Sequence, residues 1–214
     1  MHIPILYIDK NIIVIQKPPG VLCEESGKGD SVFPVLRAHC RSLGEEEDIY
    51  PVHRLDRETG GVMVYARSQT CAAYLSRLIA EGKLQKTYLA EVSGCLSPPA
   101  GMMEDYLFHD RAKNKTYVVK RQRKGVKKAV LTYETVQTSA DYSLLRIQLQ
   151  TGRTHQIRVQ CASRLHPLRG DRKYGGDKAD RLYLWAQELC FPAPNGEILR
   201  FCAPAPFGIT GKSL

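Results

Sequence analysis

A chain of 214 residues, 43% of them hydrophobic, suffices for one ordinary globular domain that buries roughly 70% of its unfolded surface. Charged residues make up 25%, and the longest apolar runs, Ile3 to Ile8 and Ile12 to Ile15, are short, which excludes a membrane-spanning helix and a disordered composition. The net charge of +9 points to an anionic partner and is concentrated: Arg111, Lys113, Lys115, Lys120, Arg121, Arg123, Lys124, Lys127 and Lys128 fall within 111–128 without one acidic residue.

In chain order, Leu6 to Ile8, the turn Asp9-Lys10-Asn11 and the β-branched run Ile12 to Ile15 read as strand, turn and strand, ending at Lys17-Pro18-Pro19-Gly20. Ser31 is expected to cap a helix in which Val32, Val35, Leu36, His39, Cys40 and Leu43 keep helical spacing up to Gly44. Ser68 is expected to cap a second, with Cys71, Tyr74, Leu75, Leu78 and Ile79 on one face and Gly82 as its stop. Lys86 to Val92 reads as a strand, and Ala129 to Val136 with Tyr142 to Leu149 as a hairpin-like pair. Thr154 is expected to cap a short helix with Ile157, Cys161, Ala162 and Leu165 on one side. Strands dominate and helices are interspersed irregularly, which predicts an α+β fold with a mixed, mostly antiparallel sheet. No repeat or linker divides the chain, so residues 1–214 are expected to form a single domain.

The seven cysteines are scattered and never spaced Cys-x-x-Cys, which predicts buried thiols in a reducing compartment. Neither they nor the six histidines cluster as metal ligands, so no metal is expected. Without a glycine-rich phosphate loop, no nucleotide cofactor is expected. The amino terminus has no export pattern, which predicts a cytoplasmic address. Statistically, the 111–128 run reads equally as a solvated loop or as an arm that grips phosphates.

Two segments concentrate functional residue types at turns: His53-Arg54-Leu55-Asp56-Arg57-Glu58-Thr59-Gly60-Gly61 and Thr151-Gly152-Arg153-Thr154-His155-Gln156-Ile157-Arg158. Taken singly, Asp56 reads as a turn cap and Arg153 as an exposed cation. Taken together, the segments resemble the RluA-type RNA pseudouridine synthase family. Its signature His-Arg-Leu-Asp-x-x-Thr-Ser-Gly matches residues 53–61 with Gly60 in place of serine, and Gly-Arg-Ser/Thr-His-Gln-Leu/Ile-Arg matches 152–158 fully. Lys17 to Gly20, Lys86-Thr87-Tyr88-Leu89-Ala90, Gly170-Asp171 and Tyr174-Gly175 match further blocks in order. Leu184-Trp185-Ala186 and Ala193-Pro194 depart from the family's pattern. The S4-like domain of many relatives is not expected, since the pattern starts near residue 5.

The resemblance implies the family's catalytic fold, with a central cleft, and a cofactor-independent isomerisation of uridine in ribosomal or transfer RNA. It assigns the essential carboxylate to Asp56, a cationic partner to Arg153 and the active-site tyrosine to Tyr88, which stacks on uracil and assists proton removal from C5. A predicted helix start behind Arg153 would favour an anion. Arg54 is expected to fill the space of the flipped base, and Arg158, Lys17, Lys120, Arg121 and Arg123 to bind RNA. His53 and His155 are read as residues that hold their turns rather than as an acid/base pair, and Cys161 as packing. A monomer is expected. Two alternatives stay open: a non-catalytic RNA-binding protein, and a nucleoside or sugar hydrolase, for which Glu58 is the close second carboxylate.

Overall fold

The computed structural model describes residues 1–25, 27 and 29–208. In chain order the elements are β1 (Ile5–Ile8), β2 (Ile12–Lys17), α1 (Phe33–Ser42), β3 (Tyr50–Pro51), β4 (Gly60–Ala66), α2 (Gln69–Ala80), β5 (Gln85–Ser93), β6 (Ala100–Asp110), β7 (Lys115–Val119), β8 (Val126–Thr138), β9 (Tyr142–Leu149), α3 (Gln156–Ala162), a 3-10 turn at Arg172–Tyr174, β10 (Leu184–Pro192) and β11 (Ile198–Cys202). The pairs β1–β2, β2–β4, β3–β4, β5–β9, β6–β7, β6–β8, β8–β9 and β10–β11 are antiparallel. The fold is α+β, as the irregular order of strands and helices predicts. The described residues divide into two compact units, 1–86 with 186–204, and 87–185 with 205–208.

In the first unit the strands run β1-β2-β4-β10, with β3 on β4 and β11 on β10. Asp9 shapes the β1–β2 turn by accepting the Asn11 and Ile12 amides on Oδ1, both at 2.7 Å, a side chain standing in for a backbone turn. Ile13, Val14 and Ile15 of β2 and Val62 to Ala66 of β4 have no exposed surface. Such strands read as unbroken apolar runs because both faces are covered. Helix α2 packs on β4 through Cys71, Leu75 and Leu78. It starts as predicted, Ser68 Oγ accepting the Cys71 amide at 3.1 Å, and stops before Gly82, whose φ of +69° glycine adopts freely. Helix α1 differs from expectation. Val32 is its N-cap without a side-chain bond, because Ser31 is committed to a bridge with Leu22, and Pro34 supplies the fixed φ of the first turn.

The second unit is a sheet of order β5-β9-β8-β6-β7. The expected pair at 129–136 and 142–149 is β8 and β9, with β8 longer at both ends. The basic 111–128 stretch comprises a turn, β7, a second turn and the first residues of β8, and β7 lies against β6 with His109 opposite Thr116. Helix α3 departs from its predicted start and length. Thr154 gives no cap; His155 takes that place at φ +54°, and the helix ends at Ala162, leaving Leu165 88% exposed. Residues 156–161 are all buried, so this helix is enclosed rather than amphipathic. Two of the seven cysteines read as buried, Cys95 and Cys202, are exposed.

Candidate active site

Asp56 sits half-buried in the turn between β3 and β4, and its carbonyl accepts the Thr59 amide at 3.0 Å. That turn is bolted to the loop after β2. Gly20 and Arg57 exchange two bonds at 2.8 Å, backbone amide to carbonyl and Arg57 Nε to carbonyl. Cys23 Sγ accepts the Leu55 amide and donates to the Leu55 carbonyl, both at 3.2 Å. Beneath them Lys17, the last residue of β2 and opposite Gly61, spends its ammonium hydrogens on the carbonyls of Pro18, Val21 and Arg57 at 2.9, 2.8 and 3.1 Å. Burial lowers the Lys17 pKa to about 8, although Cys23, Glu58 and Asp56 pull it upward.

His53 holds the turn through its backbone contact, Nε2 accepting the Val64 amide at 3.2 Å. Burial, with Lys86 nearby, keeps its pKa well below the usual imidazole value, so the ring is neutral. A histidine in that state is a strut and not a proton shuttle at neutral pH. Gly61 closes the signature at φ +122°, where a Cβ would lie 2.1 Å from the Ala186 carbonyl oxygen. Arg54 is exposed at the head of the same turn.

In the second unit Gln156 organises the other signature. Its Oε1 accepts from Thr151 Oγ1 at 2.8 Å and from the Arg153 amide at 3.0 Å, and its Nε2 donates to the Val130 carbonyl at 3.1 Å. Arg153 is half-buried and places Nε on the Lys128 carbonyl at 2.9 Å. Tyr88, 6% exposed, lies in β5 opposite Ile147. Cys161 is fully buried and its thiol is pushed up to about 12 by burial, which makes it packing rather than a nucleophile.

Two expected RNA contacts are internal instead. Lys17 has no exposed surface. Arg158, 7% exposed, pairs in two parallel bonds with Asp171 at 2.7 and 2.8 Å and lies over the Tyr174 ring. Buried charges persist where partners satisfy them, as these do. Lys120, Arg121 and Arg123 are exposed, Arg123 resting on the Phe108 ring. Cys23, Gln156, Asp171 and Tyr174 were not among the candidates from sequence, although the last three lie in segments that carry the resemblance.

A family model for RNA pseudouridylate synthase matches residues 11–163, a span that contains both signatures. Ribosomal large subunit pseudouridine synthase D of Borreliella burgdorferi is 36% identical over 81% of this chain and 55% of its own length. The uncharacterized RNA pseudouridine synthase YhcT of Bacillus subtilis is 32% identical over all of this chain and 71% of its own length. Among solved structures, human RNA pseudouridylate synthase domain containing 4 superposes with a TM-score of 0.80 at 26% identity, covering 95% of this chain and 88% of that one. The chain thus spans little more than half of the Borreliella protein it matches.

Proposed function

The chain belongs to the RNA pseudouridylate synthase family, and from that premise we propose that it isomerises uridines in structured RNA to pseudouridine, with Asp56, Tyr88 and Arg153 as its catalytic residues. The reaction breaks the bond between ribose C1′ and N1, turns the uracil, joins C1′ to C5 and moves the C5 proton, with no net oxidation. Asp56 supplies a carboxylate to the electron-poor carbon, whether of the sugar or of the pyrimidine ring. Arg153 supplies the positive charge that keeps such a carboxylate ionised when RNA covers it. Tyr88 offers a ring to the uracil and a hydroxyl for the C5 proton.

The observation that carries this reading is the bracing of the Asp56 turn. Lys17, Gly20 and Cys23 fix the backbone at residues 55 and 57 on either side of the aspartate. A turn that existed only to connect β3 and β4 would need no such bracing, whereas a reacting carboxylate gains rate from a fixed position.

The uridine must leave its stack, at a cost of a few kcal/mol, and the exposed planar Arg54 is suited to take its place. The exposed cations Lys120, Arg121 and Arg123 offset that cost on the phosphates. The name of the Borreliella relative favours ribosomal over transfer RNA as substrate. We place the protein in the cytoplasm and expect it to act as a monomer, without cofactor or metal, with residues 1–214 as a single catalytic domain.

RNA carrying tritium at uracil C5 tests the proposal. Wild-type protein is expected to release label from ribosomal RNA, and Asp56→Asn to bind the RNA with unchanged affinity while releasing none. Release by Asp56→Asn at the wild-type rate would refute the assignment.

A further inference from the structure

Tyr174 joins the second signature to the basic strand. We propose that it is a positioning residue for the isomerisation, through which β7 holds the Arg153 segment in its working conformation. The proposal rests on the isomerase reading above and names a residue that reading does not use.

The ring of Tyr174 packs on Leu107, Ala129 and Val159, with Lys115 Nζ 5.4 Å and Arg158 Cζ 5.2 Å from its centre. Its hydroxyl accepts the Thr116 amide at 2.7 Å and lies 2.8 Å from His155 Nδ1. An oxygen that already accepts from Thr116 still has its own proton to give, and His155 Nδ1 is placed to receive it. Burial pushes the phenol above its usual pKa, which keeps that proton in place at neutral pH.

Thr116 completes the link from the other side. Its Oγ1 donates to the Thr154 carbonyl at 2.9 Å. With that hydrogen committed, the 3.0 Å contact to His109 is a donation by His109 Nδ1. One residue of β7 therefore reaches two consecutive residues of the signature, Thr154 directly and His155 by way of Tyr174.

The need for this bracing is visible in the backbone. His155 stands at φ +54°, a left-handed conformation that costs a non-glycine residue about 1–2 kcal/mol and persists only where neighbours over-determine it. Arg153 lies two residues upstream. Strand β7 begins at Lys115, next to Thr116, and leads to Lys120, Arg121 and Arg123. RNA held on those cations therefore bears on a strand that is bonded to the signature.

Tyr174→Phe keeps the ring and its two cations and removes only the hydroxyl. Single-turnover tritium release is expected to fall about 10- to 100-fold, while the RNA dissociation constant stays within about twofold of wild type. Thr116→Val should slow release similarly and Thr116→Ser should restore it. The double variant Tyr174→Phe/Thr116→Val should be no slower than the worse single one. Wild-type release by Tyr174→Phe overturns the proposal, as does a loss of RNA affinity as large as the loss of rate, or additive effects in the double variant. If the wild type releases no label from any RNA, the isomerase reading itself falls and this proposal with it.

Discussion

Lys17 carries a charge into a place with no exposed surface, where three carbonyls take its three hydrogens. In the folded chain that charge is lost at about pH 8. An amine has two hydrogens for three carbonyls, so the brace under Asp56 weakens. We expect tritium release to fall as pH rises through about 8. Stability should move the other way. The folded pKa lies below the unfolded value of 10.5, so between the two the unfolded chain binds more protons, and folding is favoured as pH rises. A pH–rate profile beside urea titrations at the same pH values separates the two effects; rate and stability falling together would refute this account. Lys17→Met should turn over slowly and show no fall near pH 8. At this scale the residue types of the two signatures were legible, and so was the strut role of His53. The internal roles of Lys17 and Arg158 were not. Their partners are carbonyls gathered from residues 18, 21 and 57, and a carboxylate thirteen positions away, and sequence does not show such convergence.

Strand β4 begins at the glycine pair of the first signature, where chain direction and packing leave no space for a side chain. A methyl group at Gly61 would meet the Ala186 oxygen at 2.1 Å and nitrogen at 2.6 Å, both backbone atoms, at a φ of +122°. Gly61→Ala should therefore destabilise the fold by about 3 kcal/mol or more, read by urea denaturation, since strain and overpacking add. Gly20→Ala, at φ +84° with nothing within 4 Å of the added methyl, isolates the backbone share and should cost about 1 kcal/mol. Elements were legible where one period governed them. The α2 stripe and its Ser68 cap are local patterns, and β2 is an unbroken apolar run. Strands β4, β10 and β11 were missed as well as β6 and β7, whose burial does not alternate. The cap at α3 was misplaced because Thr154 uses its carbonyl for Thr116 while a left-handed histidine starts the helix.

For the whole molecule the charge map makes the sharpest statement. Outside 111–128 the chain has as many basic as acidic residues, so RNA affinity should depend on salt mainly through that stretch. Replacing Lys120, Arg121 and Arg123 by alanine should lower the slope of log K against log salt by roughly 2 to 3, at about 0.7–0.9 for each phosphate no longer neutralised. Filter binding from 50 to 300 mM salt would show it, and an unchanged slope would place the phosphates elsewhere. The charge run was legible in sequence; that it frames an ordered strand was not. Nor does composition shift at residues 86 or 186, where the compact units divide. Strand β7 is the last in its sheet, and an unpaired margin of that kind ordinarily invites a second copy of the chain to add on. Here the outward amide of Thr116 is already taken by Tyr174, and Lys115 and Lys120 flank it with like charge. The bonds proposed to steady the reaction thus also cover part of a margin on which another strand could template, where Thr116 is 1% exposed.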